Sequence, residues 1–203
     1  MDAAKIVFLN KGFKSATMED IAIAAGLTKP TIYRYFQNKD ILCYELFMPS
    51  LNEMGEQAKS LKEKMISNEI NTGKMFIHTF FEGLLKVYFM SPDTFRIINS
   101  VIASGEFFKL RESIYSKMTE MVIQNLLSGR EVLEIAMKKK LIQQYDPVLI
   151  GDVLYGFFIG TMEAANITIQ ATDKARDSNY HMSEMQKRIE LAIDLVSKAI
   201  IYE

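Results

Sequence analysis

The stretch TMEDIAIAAGLTKPTIYRYF, residues 17–36, decides the fold. Thr17 stands three residues before Asp20, the spacing at which a hydroxyl and a carboxylate cap the first turn of a helix. Ile21, Ala22 and Ala25 give that helix, residues 18–25, a narrow apolar face of partly small side chains. Gly26 follows where a left-handed residue ends a helix and turns the chain. Leu27 is placed to plug the turn, Thr28 to cap the next helix, and Pro30 suits that helix's first turn. The second helix, residues 29–36, sends Ile32 and Phe36 inward and leaves Lys29, Thr31, Tyr33, Arg34 and Tyr35 outside. Helix, glycine turn, helix is the spacing of a helix-turn-helix.

The chemistry left outside points to DNA. A helix entering the major groove presents donors at its N-terminal end, where side chains meet base edges and backbone N–H groups meet phosphates. Lys29, Thr31 and Arg34 supply such donors, while Lys39 and the hydroxyls of Tyr33 and Tyr35 are placed for the flanking backbone. From residue 5 to residue 39 six basic residues face two acidic ones, a local charge of +4 inside a chain whose formal total is −1. Total charge therefore hides what its distribution shows. A glycine-turned helical hairpin also occurs in proteins that never touch DNA, so a helical adaptor binding only protein stays as the alternative. That alternative leaves Lys29, Thr31 and Arg34 without a task.

The spelling of this region narrows the choice. Gly12-Phe13, Ala16-Thr17-Met18, Ile21-Ala22, Ala25-Gly26-Leu27, residues 31–36 and Lys39-Asp40-Ile41-Leu42 together closely resemble the DNA-binding domain of the tetracycline-repressor (TetR-like) family of bacterial regulators. The match runs without gaps over residues 2–47. It implies a three-helix DNA-binding head, a helical body that binds a small molecule and dimerises, and repression relieved by that molecule. By position, Thr28, Lys29, Pro30, Thr31, Tyr33, Arg34, Tyr35 and Lys39 match places where the family touches DNA, and Thr17 matches a cap that often contacts phosphate. One departure is the start: family members usually carry several more, often basic, residues before the first helix. The resemblance thus implies weaker binding or a shorter footprint here.

The remaining chain reads as all-α, about nine or ten helices, with residues 1–47 as the head and 48–203 as the ligand-binding and dimerisation domain. Residues 51–65 place Leu51, Met54, Ala58, Leu61 and Met65 on one helical face. Ser91-Pro92 and Asp146-Pro147 are start signals, and residues 183–186 spell a capping box. Residues 171–182 are polar and aperiodic, which predicts a loop. Pro49 interrupts an otherwise continuous helical pattern and predicts a kink or restart, the natural hinge between head and body. With 49% apolar residues, one cysteine and no uninterrupted apolar run, the composition is that of a globular protein. It implies a cytoplasmic location with no membrane span and no export signal.

The body is soft and aromatic. Phe80, Leu84, Tyr88, Phe95, Phe107, Tyr115, Met118 and Met162 are ordinary core candidates singly, and collectively the lining of an adaptable apolar pocket. Asn99, Glu163 and Asn166, with Tyr88 and Tyr115, are candidate polar anchors for an unknown small-molecule effector. Gly151, Gly156 and Gly160 weaken the helix that starts at Pro147, so close helix approach is the compensating reason. In the family the last two long helices form a twofold dimer interface. Gly151, Tyr155, Phe158, Ile159, Ile189, Ile193 and Val196 are the expected contacts, with packing inside one chain as the alternative. A dimer suits double-stranded, palindromic operator DNA, because two recognition helices meet half-sites about 34 Å apart. No catalytic set, cofactor or metal site is read. His78 and His181 have no ligand spacing, Cys43 sits on an apolar face, and no phosphate-binding glycine loop or hydrolase serine motif occurs.

Overall fold

The computed structural model describes residues 1–172 and 177–202. The described residues form helices α1 (Asp2–Ser15), α2 (Met18–Ala24), α3 (Lys29–Tyr35), α4 (Lys39–Ile66), α5 (Gly73–Met90) and α6 (Pro92–Ala103). A 3-10 turn (Glu106–Lys109), α7 (Glu112–Lys138), α8 (Pro147–Gln170) and α9 (Ser178–Ile200) complete them. They group into two compact units, the first from Met1–Gly55 and Lys86–Asn125, the second from Glu56–Leu85 and Leu126–Glu203.

The first unit is built on α1. Ala4, Val7, Phe8 and Phe13 are its buried residues, and the Phe8 and Phe13 rings lie 5.3 Å apart across a break at Gly12, whose φ of 74° only glycine adopts easily. One core joins these residues to Met18, Ile21 and Ala22 of α2, Ile32 of α3, and Leu42, Cys43, Leu46 and Phe47 of α4. The same core continues into Ile97 and Val101 of α6, Phe107, and Ile114 and Met118 of α7. Burial raises the pKa of the Cys43 thiol far above the usual range, which makes it an inert packing group. Polar ties lie around this core. The Arg111 N–H, just before α7, donates to Asp40 Oδ2 at 3.2 Å, and Asn125 donates to the Leu51 carbonyl at 2.8 Å.

In the second unit α8 and α9 pack along their lengths. Leu154, Phe158, Met162, Ala165 and Ile169 of α8 are buried, as are Met185, Ile189, Ala192, Ile193 and Ile200 of α9. Gly73 opens α5 where a Cβ would collide with the Leu141 carbonyl oxygen, so the close approach there requires glycine. Lys62 and Glu131 tie α4 to α7 at 2.6 Å.

Three local expectations change. Helix α4 continues through Pro49 without restarting, although proline cannot donate the hydrogen bond to residue 45. Helix α9 starts at Ser178, capped by the Asp177 carboxylate at 3.0 and 3.1 Å, so the spelled capping box at residues 183–186 lies inside a helix already under way. Of the predicted loop over residues 171–182, Ser178 onward is therefore helical, and residues 173–176 lie outside the described residues.

Candidate nucleic-acid interface

The turn between α2 and α3 forms from local rules. Asp20 N–H donates to Thr17 Oγ1 at 3.1 Å and Thr17 N–H to Asp20 Oδ2 at 3.0 Å, closing the capping box. At the other end Gly26 has φ of 66°, with Gly26 N–H bonded to the Ile23 carbonyl and Leu27 N–H to the Ala22 carbonyl. That pair of bonds is the Schellman arrangement, which satisfies carbonyls the helix end would otherwise leave open. Leu27 itself stays 38% exposed, so it lies over the turn more than it fills it.

Only Ile32 of α3 is fully buried, and Lys29, Pro30, Tyr33, Arg34 and Tyr35 are exposed. Thr28 holds the N-cap position without a capping bond; its hydroxyl pairs with that of Thr31 at 2.9 Å instead. The Arg34 guanidinium lies 5.4 Å from the Tyr35 ring centre and the Lys29 ammonium 5.8 Å from that of Tyr33. Such contact with a ring face steadies a long cation. Arg34 makes no carboxylate contact among the described residues.

Lys39 has a different setting. Its ammonium donates to the carbonyls of Phe13 at 2.6 Å, Ala16 at 3.0 Å and Lys14 at 3.3 Å, and stands 4.4 Å from the Phe13 ring centre. These are the carbonyls that α1 leaves open at its end, so Lys39 closes α1 onto α4 and its donors are engaged within the fold. Burial lowers its pKa, against the opposing pull of Asp40 and Glu106.

Asp20, read from the sequence as a cap, and Glu19 beside it also pair across the head. Lys11 holds Asp20 Oδ1 at 2.6 Å, and Lys29 holds Glu19 Oε1 at 2.5 Å. These contacts keep both carboxyls below the usual carboxylate range: for Asp20 first Lys11, then Thr17; for Glu19 first Lys29. Charges nine or ten positions apart on different helices carry no periodic signal, which is why the sequence did not reveal them.

The residues considered for a pocket divide between the units. In the first, the Tyr88 and Phe95 rings meet edge-on at 5.3 Å and those of Phe107 and Tyr115 lie tilted at 5.5 Å; Met118 is buried, and the buried amide nitrogen of Asn99 has no hydrogen-bond partner among the described residues. In the second, Met162 is buried, Phe80, Leu84 and Glu163 are half-buried, and Asn166 Oδ1 faces His181 Nε2 at 3.1 Å. A surface groove of about 590 Å³ between the start of α5 and the end of α9 is lined by Lys74, His78, Glu190, Asp194, Lys198 and Tyr202 among others, and shares none of these residues.

The expected dimer contacts also separate. Phe158, Ile189 and Ile193 are core residues of their own chain, Gly151 packs under Leu133, and Ile159 and Val196 are half-buried; only Tyr155 is exposed. For Phe158, Ile189 and Ile193 the reading is corrected, because a side chain already buried within its own chain has no surface to offer a partner. The open apolar stripe lies one helical step away: Leu149, Val153 and Ile167, between 63% and 70% exposed, with Phe157 and the uncovered Gly156 and Gly160. Leu191 and Leu195 extend the exposed set on α9.

A capped helix, a Schellman turn and a short helix with outward cations define the class: a helix-turn-helix DNA-binding transcriptional regulator with an all-helical body. Residues 1–46 match the family model of bacterial regulatory proteins, tetR family. The chain is 26% identical over 159 residues, 78% of each chain, to the uncharacterized HTH-type transcriptional regulator YhgD of Bacillus subtilis strain 168. The fold is shared with the ketosteroid transcriptional regulator KstR2 of Mycobacterium tuberculosis, at a TM-score of 0.70 and 14% identity over 100% of this chain and 93% of that one. It is shared also with the transcriptional regulator FadR of Bacillus subtilis in complex with stearoyl-CoA, at a TM-score of 0.57 and 20% identity over 91% and 94% of the two chains.

Proposed function

We propose that this chain acts as a homodimeric repressor whose head, residues 1–47, reads a palindromic operator and whose body, residues 48–203, releases it on binding a long apolar effector. The observation that carries DNA reading is the outward set on α3, with Arg34 free of carboxylates and Tyr33 and Tyr35 beside the cations. Arg34 serves base edges, with Lys29 beside it on Glu19; Thr17, Thr28, Thr31, Tyr33 and Tyr35 serve the phosphates on either side. Lys39 supports this surface by holding α1 and α4 together.

A fatty acyl thioester is the effector to test first. Its support is the aromatic and methionine-rich interior, the unpartnered amide of Asn99, and the stearoyl-CoA held by FadR. Dimerisation has support in α8, which is long and apolar enough to cross a membrane yet has only 28% of that stretch buried within the chain. A second copy covering Leu149, Val153, Phe157 and Ile167 removes that surface from water, and Gly156 and Gly160 permit close helix approach. Release follows if the effector binds better to the body conformation that misaligns the two heads.

The test is a binding titration against the DNA flanking the protein's own gene, with and without stearoyl-CoA. Preference for that DNA over a scrambled duplex, weakened by the acyl thioester, is the expected result. Equal affinity for both duplexes sinks operator reading, and operator binding indifferent to the thioester sinks the effector class alone.

A further inference from the structure

Four of the six cations that make the head basic are already engaged. Lys5 lies 3.4 Å from Asp2, Lys11 holds Asp20, Lys39 caps α1, and Lys29 holds Glu19. The last pair sits on the DNA-reading side. Glu19 belongs to the first turn of α2 and Lys29 is the first residue of α3, and their side chains are 44% and 65% exposed. A cation that the recognition helix offers at its N-terminal end is thus held by a carboxylate of the helix before it.

We propose that Glu19 is a specificity-determining residue: its carboxylate competes with DNA for the Lys29 ammonium and so weakens binding to arbitrary duplexes more than binding to the operator. This rests on the DNA-reading function proposed above. On arbitrary DNA, Lys29 gains a phosphate only by leaving Glu19, and the released carboxylate then stands unpaired beside a polyanion. The exchange swaps one anionic partner for another and adds repulsion. On the operator Arg34 and its neighbours hold α3 through base contacts while Lys29 stays on Glu19, so neither the exchange nor the repulsion is incurred there. A built-in repulsive group is a general route to discrimination, since specificity is a difference between affinities. Among the described residues, the other charged group that acts on the Glu19 carboxyl is Asp20, which is itself taken up by Lys11.

The test compares the wild type, Glu19→Gln, and Glu19→Gln with Lys29→Gln. Each is titrated by fluorescence anisotropy against a random-sequence duplex and a duplex that the wild type selects from a random library, across a potassium chloride series. Glu19→Gln should bind the random duplex roughly two- to fivefold tighter, the scale of one exposed ion pair, with a smaller gain on the selected duplex. Its salt dependence on the random duplex should steepen by about 0.9 in log–log slope for each Lys29 freed to meet a phosphate. Adding Lys29→Gln should abolish both effects, and the thermal midpoint should not move. Glu19→Gln indistinguishable from wild type overturns the inference alone, as do equal gains on both duplexes or a gain that survives loss of Lys29. A wild type that binds neither duplex overturns the DNA-reading function and this inference with it.

Discussion

Helices α3 and α8 both leave much of their surface outside the chain, one polar and the other apolar. Helix α3 has seven residues, buries Ile32 alone, and is held by its neighbours: the Schellman turn before it, Lys29 on Glu19, and Lys39 bracing the helices around it. Helix α8 has 24 residues, buries one face against its own unit, and leaves Leu149, Val153, Phe157 and Ile167 open. The polar surface is complete without a partner and weakly attractive to many phosphates. The apolar one is costly in water until something covers it. One chain therefore carries a surface suited to reversible, salt-sensitive contact and another suited to lasting association.

The strongest way to break this contrast is to charge the apolar side. Val153→Glu with Phe157→Glu should convert the proposed dimer to monomer in sedimentation and lower operator affinity about 100-fold or more, since two linked heads become one. A variant that stays dimeric places the interface elsewhere. On the polar side, Lys39→Ala leaves three carbonyls without their charged donor and should cost about 1–3 kcal/mol in chemical denaturation. If Lys39 served DNA alone, stability would stay unchanged while affinity fell on every sequence. Arg34→Ala should reduce operator affinity about tenfold, with much less change on random duplex, because it removes a base-reading group. Equal losses on both would make Arg34 a phosphate contact.

The smallest effect concerns acid. Asp20 is held below its ordinary pKa by Lys11 first and then by Thr17. Folding therefore favours the ionised form, so its contribution is present above the ordinary value of 3.8 and fades as pH falls through the lowered native one. Asp20→Asn should lower the thermal midpoint slightly at neutral pH and lose part of the wild type's decline on acidification. A decline identical to wild type would leave the pair with no share in stability.

Much of the head was legible because its devices are local. Thr17 with Asp20, Gly26 at positive φ, and Ser91 and Asp146 before prolines each act within three or four residues, and each forms as read. Lys39 was not legible: a lysine after a recognition helix reads as a phosphate contact until the end of α1 is seen to lie beneath it. The α8 contacts failed for a related reason. Periodicity says that Phe158 and Phe157 point different ways, but both are large and apolar, and only packing against α9 and α5 tells which is core. Phe158 stacks toward Phe81 at 6.5 Å between ring centres, while Phe157 stays 39% exposed.

The sequence by itself determined the all-helical class, the helix-turn-helix and the outward donors of α3, because caps, glycine turns and helical period are short-range and chemically explicit. Tertiary structure decided which cations are free and which apolar residues remain uncovered. Both depend on groups brought together from distant positions: Glu19 to Lys29, Phe13 to Lys39, and Gly151 to Leu133. A charge or an apolar side chain keeps its chemistry wherever it sits, but its availability is set by its neighbours.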